Sequence, residues 1–208
     1  MSNNPRPNNK QRKDRPLAAL TRSILEKIAK CPSSSNAFLT INGRAMRKSY
    51  VVDICKVMTA LVEEMDLNSN KVGVATQHGF SLRTWGFIAE KTGLEKWRVK
   101  QCMKFIYSKG WVESKQPREK YTGKDNIDKW RGLASIKRVK AEFFYDLSIY
   151  QQYEEAKQAA KEWLKRYAKE LGRPIKYIQT PITLLRRRRK EASARAVNTP
   201  NAPDPILS

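Results

Sequence analysis

The residues best suited to chemistry lie on one face of a helix that the sequence predicts between Glu95 and Lys109. Apolar side chains recur there at spacings of three and four residues, which predicts the face turned to the core: Val99, Cys102, Met103 and Ile106. The opposite face carries basic, amide and aromatic groups: Trp97, Lys100, Gln101 and Lys104, with Lys96 and Arg98 on its flanks. In the DNA major groove lysine can donate to guanine, and glutamine can bond to adenine. We therefore expect this face to enter the major groove, with Lys100, Gln101 and Lys104 at base edges.

A shorter helix and a tight turn must hold that recognition helix in place. Ser81 is positioned to cap the shorter helix, because a serine side chain accepts a hydrogen bond from an amide two or three residues on. Trp85, Ile88 and Ala89 predict its inward face, and the helix should end at Thr92. Gly93 then supplies the positive φ that such a turn needs.

The residues after Gly110 predict a wing. The segment WVES reads as a short strand, the residues 115–128 as a polar loop, and the residues 133–139 as a second strand. Basic side chains in this region should contact the DNA backbone or enter the minor groove. Together with residues near the first helix, the expected backbone contacts are Ser81, Arg83, Thr84, Lys115, Arg118, Lys120 and Lys124.

The flanking segments complete a mainly α (α+β) fold: a winged helix-turn-helix with flanking helices and disordered basic termini. Residues 1–20 predict a disordered basic arm, and residues 21–46 a short helix, with Thr21 as a possible N-cap, followed by a loop. The winged-helix domain should span residues 47–150, with packing at Phe143, Phe144, Leu147 and Tyr150. Residues 151–180 predict an amphipathic helix with an aromatic stripe, which either packs on the domain or joins two chains as a homodimer. Residues 181–208 predict a basic, proline-containing tail with a cluster at Arg186, Arg187, Arg188, Arg189 and Lys190.

The charge of the chain agrees with a polyanionic partner. Its 208 residues contain 42 Lys and Arg against 20 Asp and Glu, a net charge of +22, and residues 81–140 alone contain 16 basic and 6 acidic side chains. Such a chain should bind phosphates with a steep salt dependence. Neither a membrane-spanning run nor a secretory signal is seen, so we expect a cytoplasmic, nucleoid-associated or plasmid-associated protein without membrane contact.

The sequence predicts no enzymatic activity, metal site or cofactor. Nicking of DNA through paired histidines and a metal is excluded because His78 is the only histidine, and Gly123-Lys124 is followed by Asp125 where a P-loop needs Ser or Thr. Three widely spaced cysteines predict reduced thiols and no zinc site: Cys31, Cys55 and Cys102. The densest carboxylates crowd one helix and are interpreted as a solvated face: Asp53, Glu63, Glu64 and Asp66.

The succession of these segments resembles the RepA-type replication initiators of bacterial plasmids, particularly those of the FII incompatibility class. It is carried by DLNSNKV, SLRTWGFIAEKTGL, RVKQCMKFIYSKGWVESKQ, the strand ending near Val139, and KAEFFYDLSIY, and it covers about residues 44 to 190. The resemblance implies a winged-helix protein that binds double-stranded DNA at its plasmid's origin, helps to open it and recruits host replication proteins.

Two other functions stay open at this point. A winged-helix transcriptional repressor of plasmid or phage origin would use the same chemistry at the DNA without a recruitment step. An RNA-binding protein would also suit the charge and the tails, and it would prefer structured or single-stranded RNA to duplex DNA.

Overall fold

The chain folds as a mixed α+β protein with small antiparallel sheets, and the expectation of a mainly helical α+β fold is confirmed. The computed structural model describes residues 15–40, 43–76, 79–122, 128–170 and 172. The helices are α1 Pro16–Lys30, α2 Lys48–Glu63, α3 Trp85–Thr92, α4 Lys96–Ser108, α5 Ala141–Asp146 and α6 Tyr150–Glu170. The strands are β1 Gly73–Thr76, β2 Gly79–Leu82, β3 Val112–Lys115, β4 Arg118–Thr122, β5 Asp128–Gly132 and β6 Ile136–Val139.

Helix α1 begins earlier than the sequence pattern predicted. Pro16 occupies its first turn, where a proline costs no hydrogen bond, and Leu17 is buried. Thr21 is not an N-cap but a fully buried residue inside the helix, whose hydroxyl donates to the Leu17 carbonyl oxygen at 2.7 Å. Residues 16–20, predicted as part of the disordered arm, therefore form the start of a helix. The rest of the predicted arm, residues 1–14, lies outside the described residues.

The segment between β3 and β6 contains a second pair of strands where a polar loop was predicted. Strand β3 pairs with β6 in the register Val112↔Val139, and β4 pairs with β5 in the register Lys120↔Trp130. We call the paired strands β4 and β5 the ribbon. The polar residues of this segment led to the prediction of a loop, although Tyr121 and Trp130 are residue types that favour strands.

The core is organised around Trp111, which is fully buried just before β3. Its ring centroid lies 5.2 Å from that of Phe38, 5.7 Å from Phe105 and 5.3 Å from Phe143. The indole nitrogen donates to Asp146 Oδ2 at 2.7 Å, which satisfies its only polar atom. Trp111 thereby connects α4, the start of β3 and α5.

The stretch around α5 and the start of α6 packs as predicted except at one position. Phe143, Phe144 and Leu147 are buried, but Tyr150 is 43% exposed and the preceding Ile149 takes the buried position. The prediction for Tyr150 was wrong because Ser148 adopts a positive φ of 58° between α5 and α6, which breaks the helical spacing.

Only the first part of the aromatic stripe on α6 belongs to the core. Tyr153 is fully buried, stacks on Phe144 at 4.4 Å between centroids, and its hydroxyl accepts from Asn70. Further along, Trp163 is 55% exposed and stacks on Tyr167 at 5.1 Å. Residues 171 and 173–180 of the predicted segment lie outside the described residues. None of the helices in the described ranges is both long and apolar enough to cross a membrane.

Candidate nucleic-acid interface

Helix α3 and the turn after it hold α4 much as the sequence predicted, but the capping residue differs. The Thr84 hydroxyl accepts from the Phe87 amide at 3.2 Å and caps α3, whereas Ser81 lies in β2 opposite Val74. The prediction of Ser81 as the cap was wrong because the strand continues through Leu82, so the first amide without a strand partner lies further on. Gly93 adopts φ +67° and allows the short turn of residues 93–95.

The inward face of α4 is the one that the residue spacing predicted. Val99, Cys102, Met103 and Ile106 are all buried, and Cys102 is fully so. Burial raises the pKa of the Cys102 thiol to about 11, so that it stays protonated at neutral pH. The thiol therefore acts as a small apolar group, in agreement with the prediction of a reduced cysteine on an apolar face.

Arg98 fastens α4 to α2 and is not directed outward. Its Nε donates to Asp53 Oδ2 at 2.6 Å, its Nη1 donates to Gln101 Oε1 at 3.1 Å, and its side chain is 25% exposed. Tyr50 on α2 adds a second tie, because its hydroxyl donates to the Gln101 carbonyl oxygen at 2.9 Å. Of the six residues predicted on the recognition helix, Arg98 is thus the one whose charge is already paired within the fold.

The other five predicted residues form one solvent-facing surface, which we call the outer face of α4. They are exposed, Trp97 to 64% of its area: Lys96, Trp97, Lys100, Gln101 and Lys104. In the ranges that the structure describes, no ion pair involves Lys96, Lys100 or Lys104 within 4.0 Å, and α4 itself contains no acidic residue. A helix of 13 residues is about 20 Å long, which suits the major groove, about 12 Å wide. Within the described residues, the outer face therefore presents three ammonium groups without a carboxylate partner, an amide and an indole to solvent.

Arg83 and the carboxylates at the end of α2 form a buried ionic network. Glu63 and Glu64 are each 6% exposed, so the prediction that these carboxylates form a solvated face was wrong. Lys91 on α3 lies 2.9 Å from Glu63 and 2.8 Å from Glu64, Arg22 lies 2.6 Å from Glu63, and Arg83 lies 2.7 Å from Glu64. Burial raises the pKa of Glu64, but hydrogen bonds from Lys91 and Arg83 outweigh it and the pKa falls below its usual value.

The same correction applies to the two other carboxylates of that group. Asp53 is paired with Arg98, and Asp66 accepts from the Ser69 amide at 3.0 Å and from its hydroxyl at 2.6 Å. Arg83, predicted as a phosphate contact, has its guanidinium 4.0 Å from the Phe87 ring centroid and hydrogen-bonded to Glu64. The sequence could not indicate these pairs, because the partners come from separate helices and strands.

A buried lysine anchors β6 to the start of α3. Lys137 on β6 is 1% exposed, and its ammonium donates to the Arg83 carbonyl oxygen at 2.7 Å and to that of Ser135 at 3.3 Å. The ammonium lies 4.3 Å from the Trp85 ring centroid, and burial lowers its pKa to about 8. These residues border a cleft that also includes Tyr107 and Thr84. Lys137 was not singled out in the sequence, because a lysine in a short polar strand is ordinarily exposed.

The ribbon brings two of the predicted wing cations, Arg118 and Lys120, together with aromatic residues that the prediction missed. Both cations are exposed, and Lys120 is paired to Asp128 at 2.6 Å. Lys115 is exposed at the end of β3 and is paired to Glu113 at 2.8 Å. Trp130 is 66% exposed directly opposite Lys120. The sequence feature that could have identified Trp130 is a tryptophan within a polar, basic run. A loop that only contacts phosphates would not need such a side chain.

Several predicted residues lie outside the described part of the chain. They are His78, Lys124 and the basic cluster of the tail, Arg186, Arg187, Arg188, Arg189 and Lys190. Among the residues that are described, no group of three or more histidine, cysteine or acidic side chains is arranged to hold a metal ion.

Comparison of the chain with protein-family models, with curated proteins and with solved structures found no match.

Proposed function

We propose that this chain is a plasmid replication initiator that binds the double-stranded DNA of its origin with α4 in the major groove. The observation that carries the binding step is the outer face of α4, where Lys96, Lys100 and Lys104 are exposed and no carboxylate neutralises them within the described residues. Exposed ammonium groups on a helix gain little within the fold, but they release counterions when they meet phosphates.

The order of elements supports a winged-helix mode of binding. Helix α2, α3 and α4 follow one another with a three-residue turn before α4, and the chain then enters β3 and returns through β6. The backbone of Lys71 forms an antiparallel β-bridge with that of Arg138 on β6. A short segment before α3 therefore lies along the edge of the β3–β6 pair. With α4 in the groove, we expect the exposed cations between β3 and β6 to contact the DNA backbone.

The surface chemistry assigns different tasks to the exposed residues. Gln101 keeps its amide NH₂ available while its oxygen accepts from Arg98, which fixes the side chain for donation to a purine N7. Lys100 and Lys104, one turn apart, suit guanine edges or phosphates. Arg83 and Arg98 have structural roles, since Arg83 is paired with Glu64 and Arg98 with Asp53.

The initiation step rests on the sequence resemblance to RepA-type plasmid initiators, and host replication proteins are the partners that it implies. Transformation of a minimal plasmid, carrying this gene and its neighbouring DNA, into a host lacking other replicons tests that step. Autonomous replication supports an initiator. Sequence-specific binding without replication would identify a repressor instead.

Binding to duplex DNA is tested by footprinting on the DNA that neighbours the gene. The double variant Lys100→Ala/Lys104→Ala should lower the slope of log affinity against log salt by about 0.9 for each phosphate contact removed. Lys165→Ala removes an exposed lysine from α6 and serves as the matched control, with unchanged binding expected. The proposal fails if no duplex is protected at low salt, or if the double variant binds like the control. Tighter binding to structured RNA than to any duplex would favour an RNA-binding protein.

A further inference from the structure

We propose that the ribbon is a binding site for unpaired DNA, in which Trp130 stacks on a nucleobase while the neighbouring cations hold the phosphates. The inference rests on the proposed DNA binding for its biological setting, but its evidence comes from the ribbon alone. That evidence is the exposure of Trp130, the register that places it among cations, and the dimensions of the two strands.

Trp130 contributes almost nothing to the folding of the domain. It is 66% exposed, and every described neighbour on its own strand is exposed or half-buried. Within the described chain, β4 and β5 pair only with one another, and the described side chains of both strands are exposed except for the half-buried Arg131. Leaving a large indole in water forgoes the stabilisation that its burial would give, so the position of Trp130 is not explained by the folding of the domain.

The register places Trp130 on a face with net positive charge. Directly paired residues share a face of an antiparallel pair, so Lys120 lies beside Trp130, and Arg118 lies on the same face two residues away. Asp128 shares that face and lies 2.6 Å from Lys120, so the net positive charge beside the indole comes from Arg118. On the other face the Arg131 guanidinium lies 5.6 Å from the Tyr121 ring centroid. Four basic residues stand against two acidic ones in residues 118–122 and 128–132. An aromatic group flanked by cations is the pattern that binds single strands, because bases stack while phosphates pair.

Duplex DNA does not fit this face equally well. The minor groove is about 6 Å wide, whereas two paired strands are already about 4.8 Å apart before any side chain is added. The major groove is wide enough for a ribbon, but in the proposed mode α4 occupies it. Phosphate binding alone would use only the cations and would leave the indole without a role.

A single strand removes these obstacles, because its bases expose their flat faces. The full-length protein should therefore bind a labelled oligothymidylate, and Trp130→Ala should weaken that binding by about 5- to 140-fold, the range typical of one stacked base. Trp130→Phe should retain most of the affinity, since it keeps an aromatic face. Affinity for the origin duplex should change by less than about twofold, because phosphate contacts dominate there.

Trp163→Ala is the matched control, since it removes a tryptophan of similar exposure, 55%, from α6. It should leave both affinities unchanged, and thermal unfolding of Trp130→Ala should coincide with that of the wild type. Unchanged oligothymidylate binding by Trp130→Ala would overturn the inference, as would an equal loss on single strand and duplex. Tighter binding to oligouridylate than to oligothymidylate would also overturn it in favour of RNA. These readouts are separate from the test of α4, because Lys100→Ala/Lys104→Ala addresses the duplex only.

Discussion

Replacing Lys91 with methionine would measure what the buried ionic network contributes to the placement of α3 against α2. Lys91 bridges Glu63 and Glu64, and all three side chains are at least four-fifths buried, with exposed fractions of 16%, 8% and 8%. Methionine keeps the length and helix propensity of the side chain but removes its charge. Of the three described cations that pair with the two adjacent buried carboxylates, Arg22 and Arg83 would then remain.

Removing one partner of a buried ion pair costs about 3–5 kcal/mol, and we expect the lower end because each glutamate keeps one arginine. For a chain of this size, about 3 kcal/mol corresponds to a fall in Tm of roughly 6–12 °C. The effect should depend on pH with a defined sign. The pKa of Glu64 is lowered in the folded state, so its pairing stabilises the fold above the unfolded value near 4.3 and is lost as the pH falls through the folded value.

Denaturant unfolding of wild type and Lys91→Met at pH 7 and at stepwise lower pH measures both effects. The difference in unfolding free energy should be largest near neutrality and shrink below about pH 4. Lys56→Met, an exposed position in the middle of α2, controls for the loss of a lysine. A Lys91→Met protein within about 0.5 kcal/mol of this control at pH 7 would refute the argument, because surface substitutions stay within that range.

Three further predictions follow from the site and the core. Gln101→Ala should cost on the order of 1–3 kcal/mol at one base pair in competition footprinting, whereas an equal loss on every sequence would identify a phosphate contact. The pKa of Lys137 is about 8 in the folded wild type, so between pH 8 and 10.5 the folded chain binds fewer protons than the unfolded chain and the free energy of unfolding rises with pH. Lys137→Met should remove that rise. A wild-type-to-variant difference that stays constant from pH 7 to pH 10 in denaturant unfolding would contradict that. Trp111→Ala should cost about 3–5 kcal/mol in thermal unfolding and leave Asp146 without its donor. The exposed Tyr145→Ala is the control, and equal effects of the two would argue against Trp111 as the centre of the core.

The placement of α4 could be predicted because its signals are local. Four apolar residues at spacings of three and four fix which side is buried, and all four are buried in the structure. Gly93 and Gly110 mark both ends through positive φ angles of 67° and 70°, which only glycine adopts without strain. The exposed side follows from the buried one, so Lys100, Gln101 and Lys104 could be identified without knowledge of the tertiary fold.

Partners that meet only in the folded chain could not be predicted. The sequence predicted Arg98 as a surface cation, but in the fold Asp53 on α2 lies 2.6 Å from its guanidinium. Glu63 and Glu64 looked solvated because their cations come from α1, from α3 and from the end of β2. The strands of the ribbon were not predicted for a different reason. Two short, polar strands give a weak periodic signal, and the sequence does not indicate which residues their aromatic side chains contact.

The outer face of α4 and its buried face can change independently of each other, and this affects how the sequence of such a protein can evolve. Lys100 and Lys104 are exposed, while Arg98 and Tyr50 tie α4 to α2 on the other side. Substitutions at the outer positions therefore leave the free energy of unfolding above the threshold that limits substitutions in the core. Under the proposed function, grafting a few outer residues between related chains would transfer target specificity, and new incompatibility types could arise by small steps on an unchanged scaffold.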